Sequence, residues 1–385
     1  MAFRFVHTAD WQIGATHAGL GAAAVQAREA RFTAAERVVA AADARGVDAV
    51  VLAGDVFEDV NVARADVQRV VDLLRASRAP VFVLSGNHDP LVPKGPYDHP
   101  AWAAAAPHVT VFRDAAPVPC GPADFLPCPV RTRRSFADPL EALPAFDPAA
   151  PRRLRVGVAH GSLRGGPLDD DRIGDDFPID RAHVSRAGLD YLALGHWHRP
   201  SAWEVDGVPR VFYCGAHEPT AVDEISDDGS RSSGQCLLVE LDAPGAPPRT
   251  EAVRTAVLDW RREAATFSGP DDVAKFRARL DGEPAASRAS AVRLFACSGA
   301  LPPSAAGALR DLEELAAARF LHARVRLDGV KFLPDGDAWT DALPAGAPRE
   351  AARTLAATAA GDGPEAATAR RALRLLWRLS EEARA

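Results

Sequence analysis

Short apolar runs and longer amphipathic stretches alternate through the first half of the chain, and the apolar runs end on polar residues. Phe3–Ala9 is a strand ending at Asp10. Asp48–Ala53 (DAVVLA) is a buried-strand pattern running into Gly54 and Asp55, and Pro80–Ser85 (PVFVLS) runs into Gly86-Asn87-His88-Asp89. Between them, Ala22–Arg45 carries charges at helical intervals and is closed by Gly46, while Val62–Ser77 reads as an amphipathic helix. Two consecutive β-α-β units predict three adjacent parallel strands joined by right-handed crossovers. Farther on, Leu154–Ala159 ends at His160, and Asp190–Leu194 ends at Gly195-His196-Trp197-His198. Val208–Cys214 and Gln235–Leu241 follow as strands without long helices between them. This pattern predicts an α/β fold, a four-layer αββα sandwich. Gly161–Asp180 reads as a loop near the site. Its acid run (Asp169, Asp170, Asp171, Asp175, Asp176) suits a solvated loop better than a metal site.

The composition shifts at Pro244–Pro248 (PGAPP), which marks an expected boundary after a first domain of residues 1–243. Residues 249–334 are expected to form a small α+β domain. Its helices are read at Asp271–Leu280 and Pro303–Arg319, its strands at Ser290–Ser298 and Leu321–Asp328. After a linker, residues 349–385 predict two alanine- and arginine-rich helices separated by Gly361-Asp362-Gly363-Pro364. The second carries Leu373, Leu375, Leu376, Trp377 and Leu379, more apolar surface than a lone helix exposes. That surface packs on its own protein or docks a partner.

A length of 385 residues suits two or three domains. With 45 Lys and Arg against 52 Asp and Glu the net charge is −7, which excludes general coating of nucleic acid. A local basic groove or bound cations could still hold phosphate. The five cysteines are odd in number and include no C-x-x-C pair, so a reducing interior is expected. No apolar run approaches the ~20 residues that span a bilayer, so a cytoplasmic location without membrane contact is expected.

Five strand-end motifs carry the chemistry: Asp10-Trp11-Gln12, Gly54-Asp55, Gly86-Asn87-His88-Asp89, Ala159-His160-Gly161 and Gly195-His196-Trp197-His198. A lone strand-end Asp is commonly a helix cap and a lone His a satisfied polar residue. Five in register converge on one sheet edge, where open α/β sheets keep their sites. A phosphodiester is anionic and reacts slowly with water, so its hydrolysis calls for cations that neutralise it and generate hydroxide. Asp55 is placed to bridge two metals. Asp10 and His198, with Gln12 beside them, would complete one shell, and Asn87, His160 and His196 the other. His88 would face the substrate, stabilising phosphoryl oxygens or protonating the leaving oxygen, with Asp89 holding its imidazole. Mixed O and N donors suit manganese, iron(II) or zinc, with magnesium a further alternative.

The order D-x-[H/Q], GD, GNHD, HG and GHxH resembles the calcineurin-like metallophosphoesterases. HTADWQIG with GDVFED and GNHDP is similar to their DNA-repair nuclease branch. The resemblance covers residues 1–240 with specific motifs and extends more weakly into the following domain, similar in position and size to that branch's capping domain. It implies a manganese-dependent exonuclease and endonuclease acting on DNA ends, as the nuclease subunit of a double-strand-break repair complex. The C-terminal helices would dock an SMC-like coiled-coil ATPase, and the family's habit of pairing allows a homodimer. Two departures stand out: Gln12 replaces the customary His, and Glu58 stands where related nucleases often carry His or Asp. Arg131, Arg133 and Arg134 are candidate phosphate-backbone contacts and His217 a candidate groove residue. His7, His17, His99, His108, His183 and His322 are read as structural or surface histidines. Two alternatives stay open: a hydrolase of small or cyclic phosphodiesters, and a weakened DNA-end-binding scaffold for an ATPase.

Overall fold

The three expected parallel strands form as β1 (Phe3–Thr8), β2 (Ala49–Ala53) and β3 (Val81–Leu84), joined by α1 (Ala24–Arg45) and α2 (Arg64–Arg75). The computed structural model describes residues 2–149, 151–166, 174–224, 233–332, 338–361 and 363–383. Asp169, Asp170 and Asp171 of the acid run lie outside them. α1 stops at Gly46, whose φ of 56° lets its N–H reach the Ala42 and Asp43 carbonyls. α2 buries Val67, Val70, Val71 and Leu74, one stripe of a 3.6-residue period. Beyond β3 come α3 (Pro100–Ala105), β4 (Val109–Val111), β5 (Val118–Cys120) and β6 (Ala123–Pro127). β7 (Leu154–His160), the two-residue β8 (Ser162–Leu163) and β9 (Pro178–Ile179), and α4 (Arg181–Arg186) follow. The remaining strands of this unit are β10 (Tyr191–Gly195), β11 (Ser201–Val205), β12 (Val208–Tyr213), β13 (Gln235–Leu241) and β14 (Arg249–Arg254).

Two six-stranded mixed sheets result, in the orders β14-β13-β1-β2-β3-β4 and β11-β12-β10-β7-β6-β5. Their inner faces meet through Phe3, Phe5, Val51, Phe82, Phe125, Val156, Tyr191 and Phe212, all buried. The aromatic rings interlock: Phe5 stands edge-on to Tyr191 at 5.4 Å, and Tyr191 stacks on Phe212 at 4.7 Å. A second apolar layer joins the first sheet to α1, α2 and α3, and a third joins the second sheet to α4. With both faces covered, β1, β2 and β3 read as continuous apolar runs. This is the αββα sandwich that the strand pattern predicts.

The first compact unit runs from Met1 to Leu258, past the boundary expected at Pro244–Pro248. β13 and β14 pair antiparallel from Gln235↔Arg254 to Glu240↔Arg249, so the Pro- and Gly-rich stretch turns a hairpin instead of linking domains. The second unit, Asp259–Ala385, holds three parallel strands: β15 (Asp259–Phe267), β16 (Ala291–Leu301) and β17 (His322–Phe332). β15 is additional to the sequence reading. Three consecutive charged residues (Arg261, Arg262, Glu263) break its apolar pattern. α5 (Pro270–Asp281) and α6 (Ala306–Arg319) close its core around Phe267, Phe276, Phe295, Leu309 and Leu312. The terminal helices α7 (Ala347–Ala359) and α8 (Pro364–Glu382) belong to this same unit rather than forming a separate segment. α8 buries Ala366, Ala369 and Trp377 and leaves Leu375 and Leu379 about half exposed. Among the described residues no helix is long and apolar enough to cross a membrane.

Candidate active site

The ends of β1, β2, β3, β7 and β10 bring their motif residues to one edge of the sandwich. Asp10 N–H donates to the Gly54 carbonyl and Gln12 N–H to the Asp55 carbonyl, which laces the first two loops together. Within the second sheet Gly195 is in register with His160, and across the sheets Ala9 bridges to Ala216. Four non-glycine residues of the strand-end motifs adopt positive φ: Asp10 (54°), Gln12 (42°), Asp55 (52°) and His196 (99°). Such backbone costs free energy and concentrates at functional sites, where surrounding structure holds it in place.

Asp10, Asp55 and His160 are buried, and each offers a ligand atom within 4.8 Å of the others. Asp10 Oδ1 accepts the His196 backbone N–H at 2.9 Å, while its Oδ2 is buried with no partner among the described residues. Burial raises the Asp10 carboxyl above its ordinary pKa. Asp55 Oδ1 accepts the His88 N–H at 2.9 Å, and Oδ2 lies 3.3 Å from His160 Nε2. Burial works against the Asp55 charge, yet His160 and the His88 amide outweigh it and hold the carboxyl below the usual range. Burial likewise disfavours a charged His160, but Asp55 lifts it to about 9. Buried carboxylates that draw a proton onto an imidazole, with an orphaned oxygen beside them, are a donor set short of positive charge. A divalent cation fits it.

The imidazoles are oriented as ligands require. His160 Nδ1 donates to the Ala53 carbonyl at 2.9 Å, leaving Nε2 turned to Asp55 and to Asn87 Oδ1 (2.8 Å). His198 Nδ1 lies 2.7 Å from Glu224 Oε1, which leaves its Nε2. In His196 the outer nitrogen is Nε2, held by Asp176 Oδ2 at 2.8 Å, and Nδ1 faces Asn87 Oδ1 at 3.0 Å. Burial opposes the charge on both carboxylates, and their histidine partners overcome it and hold them below the ordinary range. Glu224 is absent from the sequence reading, and Asp176 ranks there as solvated loop. Neither sits in a strand-end motif, and only tertiary contact reveals them.

A groove of about 470 Å³ opens here, and Gln12, Asp55, Glu58, His88, His196 and His198 line it. His17, read as structural or surface, is also on its wall. His88 Nδ1 donates to the Glu58 carbonyl at 2.9 Å, so Nε2 is left for a ligand. Asp89 does not hold that imidazole, contrary to expectation. Fully buried, it accepts Gly86 N–H (2.6 Å), Phe57 N–H (2.9 Å) and the Tyr97 hydroxyl (2.7 Å), and so braces the loop. Burial and the nearby Asp55 push its carboxyl up to about 7. His217 is no groove residue either: it is buried, stacks on Trp11 at 5.2 Å, and its Nε2 meets the Arg31 carbonyl at 2.8 Å. Arg133 pairs with Asp59, Arg134 with Asp175, and Arg131 donates to the Arg113 carbonyl, all on the surface.

Two glycines make the close packing of these loops feasible. A Cβ on Gly86 would overlap Asp55 Oδ1 and lie 2.5 Å from the Asp55 nitrogen. Gly54 has φ of 94°, and a Cβ there would overlap the His160 ring. Gly86→Ala is expected to displace the Asp55 carboxylate, weakening divalent-cation binding roughly 10–100-fold and lowering stability by about 1–3 kcal/mol. Manganese titration and thermal melts check both. A variant with wild-type cation affinity would mean that the Asp55 loop yields without loss.

The family model of the calcineurin-like phosphoesterases matches residues 3–200, just over half of the chain. The uncharacterized metallophosphoesterase YhaO of Bacillus subtilis is 26% identical over 58% of this chain and 55% of its own length. A subunit of the nuclease SbcCD of Escherichia coli is 29% identical over 57% of this chain and 62% of its own. The DNA double-strand break repair protein Mre11 of Aeropyrum pernix is 29% identical over 63% and 59%. The chain thus spans less than two thirds of the length of these curated relatives. The matched region carries all five strand-end motifs, and the chain belongs to the calcineurin-like phosphoesterase family.

Proposed function

We propose that the protein is a metal-dependent DNA nuclease, cleaving phosphodiester bonds at DNA ends as the nuclease subunit of a cytoplasmic double-strand-break repair complex. The observation that carries the hydrolytic part is the orphaned Asp10 Oδ2 beside Asp55 and three imidazoles whose outer nitrogens are already engaged. The DNA part rests on the similarity to relatives named as nuclease and break-repair proteins. In this reading Asp10, Gln12 and His198 would hold one metal and Asn87, His160 and His196 a second, with Asp55 as the ligand common to both. Divalent ions held there, manganese foremost, would offset the phosphodiester charge and supply hydroxide near neutral pH. His88, its Nδ1–H tied to the Glu58 carbonyl, presents Nε2 to the groove, where it bonds a phosphoryl oxygen or protonates the leaving oxygen. Asp89 fixes the backbone that carries His88. The second unit would act as a capping domain, and α7 and α8 would dock an SMC-like coiled-coil ATPase.

Gln12 supplies a neutral amide oxygen where an imidazole would bind more tightly. The test is digestion of end-labelled linear duplex and single-stranded DNA with manganese by wild type, His88→Ala and Gln12→His. Wild type should cut, and His88→Ala should lose about 10²–10³ in rate. Gln12→His should lower the manganese concentration needed for half-maximal activity. Hydrolysis of small phosphodiesters without DNA cutting would overturn the DNA assignment. Cutting by Gln12→His alone would mark the natural protein as a binding scaffold.

A further inference from the structure

Phe136 is 79% exposed, the most exposed of the large apolar side chains among the described residues; the four other exposed ones lie between 44% and 59%. A scattered surface hydrophobe is ordinary, and what sets this one apart is its loop. Ser135 forms an isolated bridge with Asp176, its N–H donating to the Asp175 carbonyl at 2.7 Å and its carbonyl accepting the Phe177 N–H at 3.0 Å. Asp176 is the residue whose carboxylate holds His196 Nε2. On the other side Arg133 pairs with Asp59, next to Glu58, whose carbonyl accepts a hydrogen bond from His88 Nδ1. The loop is therefore tied to both His196 and His88. With 3.8 Å between consecutive Cα atoms and about 4.8 Å across a strand pair, Phe136 lies within roughly 9 Å of the Asp176 backbone. The ring stands in solvent, and Arg131, Arg133 and Arg134 precede it closely in sequence.

We propose that Phe136 is a stacking platform for a nucleobase of the substrate strand, a few nucleotides from the scissile phosphate. This deepens the DNA reading and rests on it. An exposed aromatic among arginines, on a loop bonded to the backbone around Asp176 and to Asp59, offers what single-stranded nucleic acid needs, a π-face for bases and positive charge for the backbone. Arg133 and Arg134 are exposed cations on this loop, and their pairs with Asp59 and Asp175 anchor it. A stacked base would also cover apolar surface that the free protein leaves in water.

The experiment measures KM and kcat of the full chain, with manganese, on a labelled single-stranded deoxyoligonucleotide and on bis(p-nitrophenyl) phosphate. Phe136→Ala and Phe136→Leu should raise the oligonucleotide KM about ten-fold, with kcat within two-fold. Phe136→Trp should match wild type, because stacking needs a ring and Leu supplies only bulk. Hydrolysis of the small ester serves as the reference and should stay unchanged in all three. Oligonucleotide kinetics of Phe136→Ala equal to wild type overturn the proposal and leave the ring to a protein contact. Loss of both activities also overturns it, since the loop would then serve the site's structure. Wild type that turns over the ester but not the oligonucleotide would instead sink the DNA reading itself.

Discussion

Asp55→Asn is expected to lower phosphodiester hydrolysis by at least about 10⁴-fold without unfolding the chain. Ligand charge that offsets an anionic transition state contributes several kcal/mol, and 1.36 kcal/mol is a factor of ten in rate. The asparagine is isosteric, but it faces the wrong partners. Asp55 Oδ1 accepts the His88 N–H, and Oδ2 sits 3.3 Å from His160 Nε2, so any placement of an amide NH₂ sets one donor against another or removes the metal-facing oxygen. In the proposed two-metal site a neutral side chain would also leave the cations without a shared anionic ligand.

The same substitution should be visible without a turnover assay. A ligand at one hundred times its Kd stabilises a folded protein by about 2.7 kcal/mol. For a unit of this size that is roughly 5–10 °C in melting temperature. Wild type should show such a shift between excess manganese and a chelator, and Asp55→Asn should show less than about 2 °C. Equal shifts in the two proteins would remove Asp55 from the ligand set, whatever the rates.

The sequence disclosed the site's inner residues better than the shell around them. Asp10, Asp55, Asn87, His160, His196 and His198 sit directly after apolar runs, so their convergence follows from the parallel order of β1, β2 and β3 in one sheet and of β7 and β10 in the other. Glu224 and Asp176 reach the histidines from segments with no periodicity, and side-chain chemistry alone does not say which acid turns inward. Asp89 departs from its expected role for a related reason: adjacency to His88 suggests a carboxylate-imidazole pair. The positive φ of Asp55 and the tight Gly86 turn instead point the Asp89 carboxylate down toward Phe57 and Tyr97. The expected domain boundary shifts because proline and glycine punctuate a hairpin turn and a linker alike. The hairpin is recognisable only once β14 is seen to extend the first sheet.

Arg31→Met is expected to cost about 3–5 kcal/mol of stability, comparable to breaking a buried ion pair. Arg31 stands on α1 and is only 1% exposed, yet among the described residues its guanidinium donates to backbone carbonyls alone. Nε donates to Trp11 at 2.7 Å, Nη2 to Asp10 at 3.1 Å, and Nη1 to Glu218 and Pro219 at 3.1 and 3.3 Å. The planar fork thereby clamps the loop that carries Asp10 to the loop after β12. Burial pulls its pKa below the ordinary arginine value, and the charges of Glu224, Glu218, Glu58 and Asp10 restore part of the difference. Methionine keeps the length and the packing but strands four carbonyls, each worth about 1–3 kcal/mol when unpaired, against which the relief of a buried cation is set. A melting temperature roughly 6–20 °C lower should result. Arg31→Lys should fall between the two proteins, since an ammonium retains the charge and loses the fork. The loosened Asp10 loop should also raise the manganese concentration for half-maximal hydrolysis in both variants. Melting and metal dependence unchanged in Arg31→Met would mean that the carbonyls find other donors and that α1 does not hold the Asp10 loop in place.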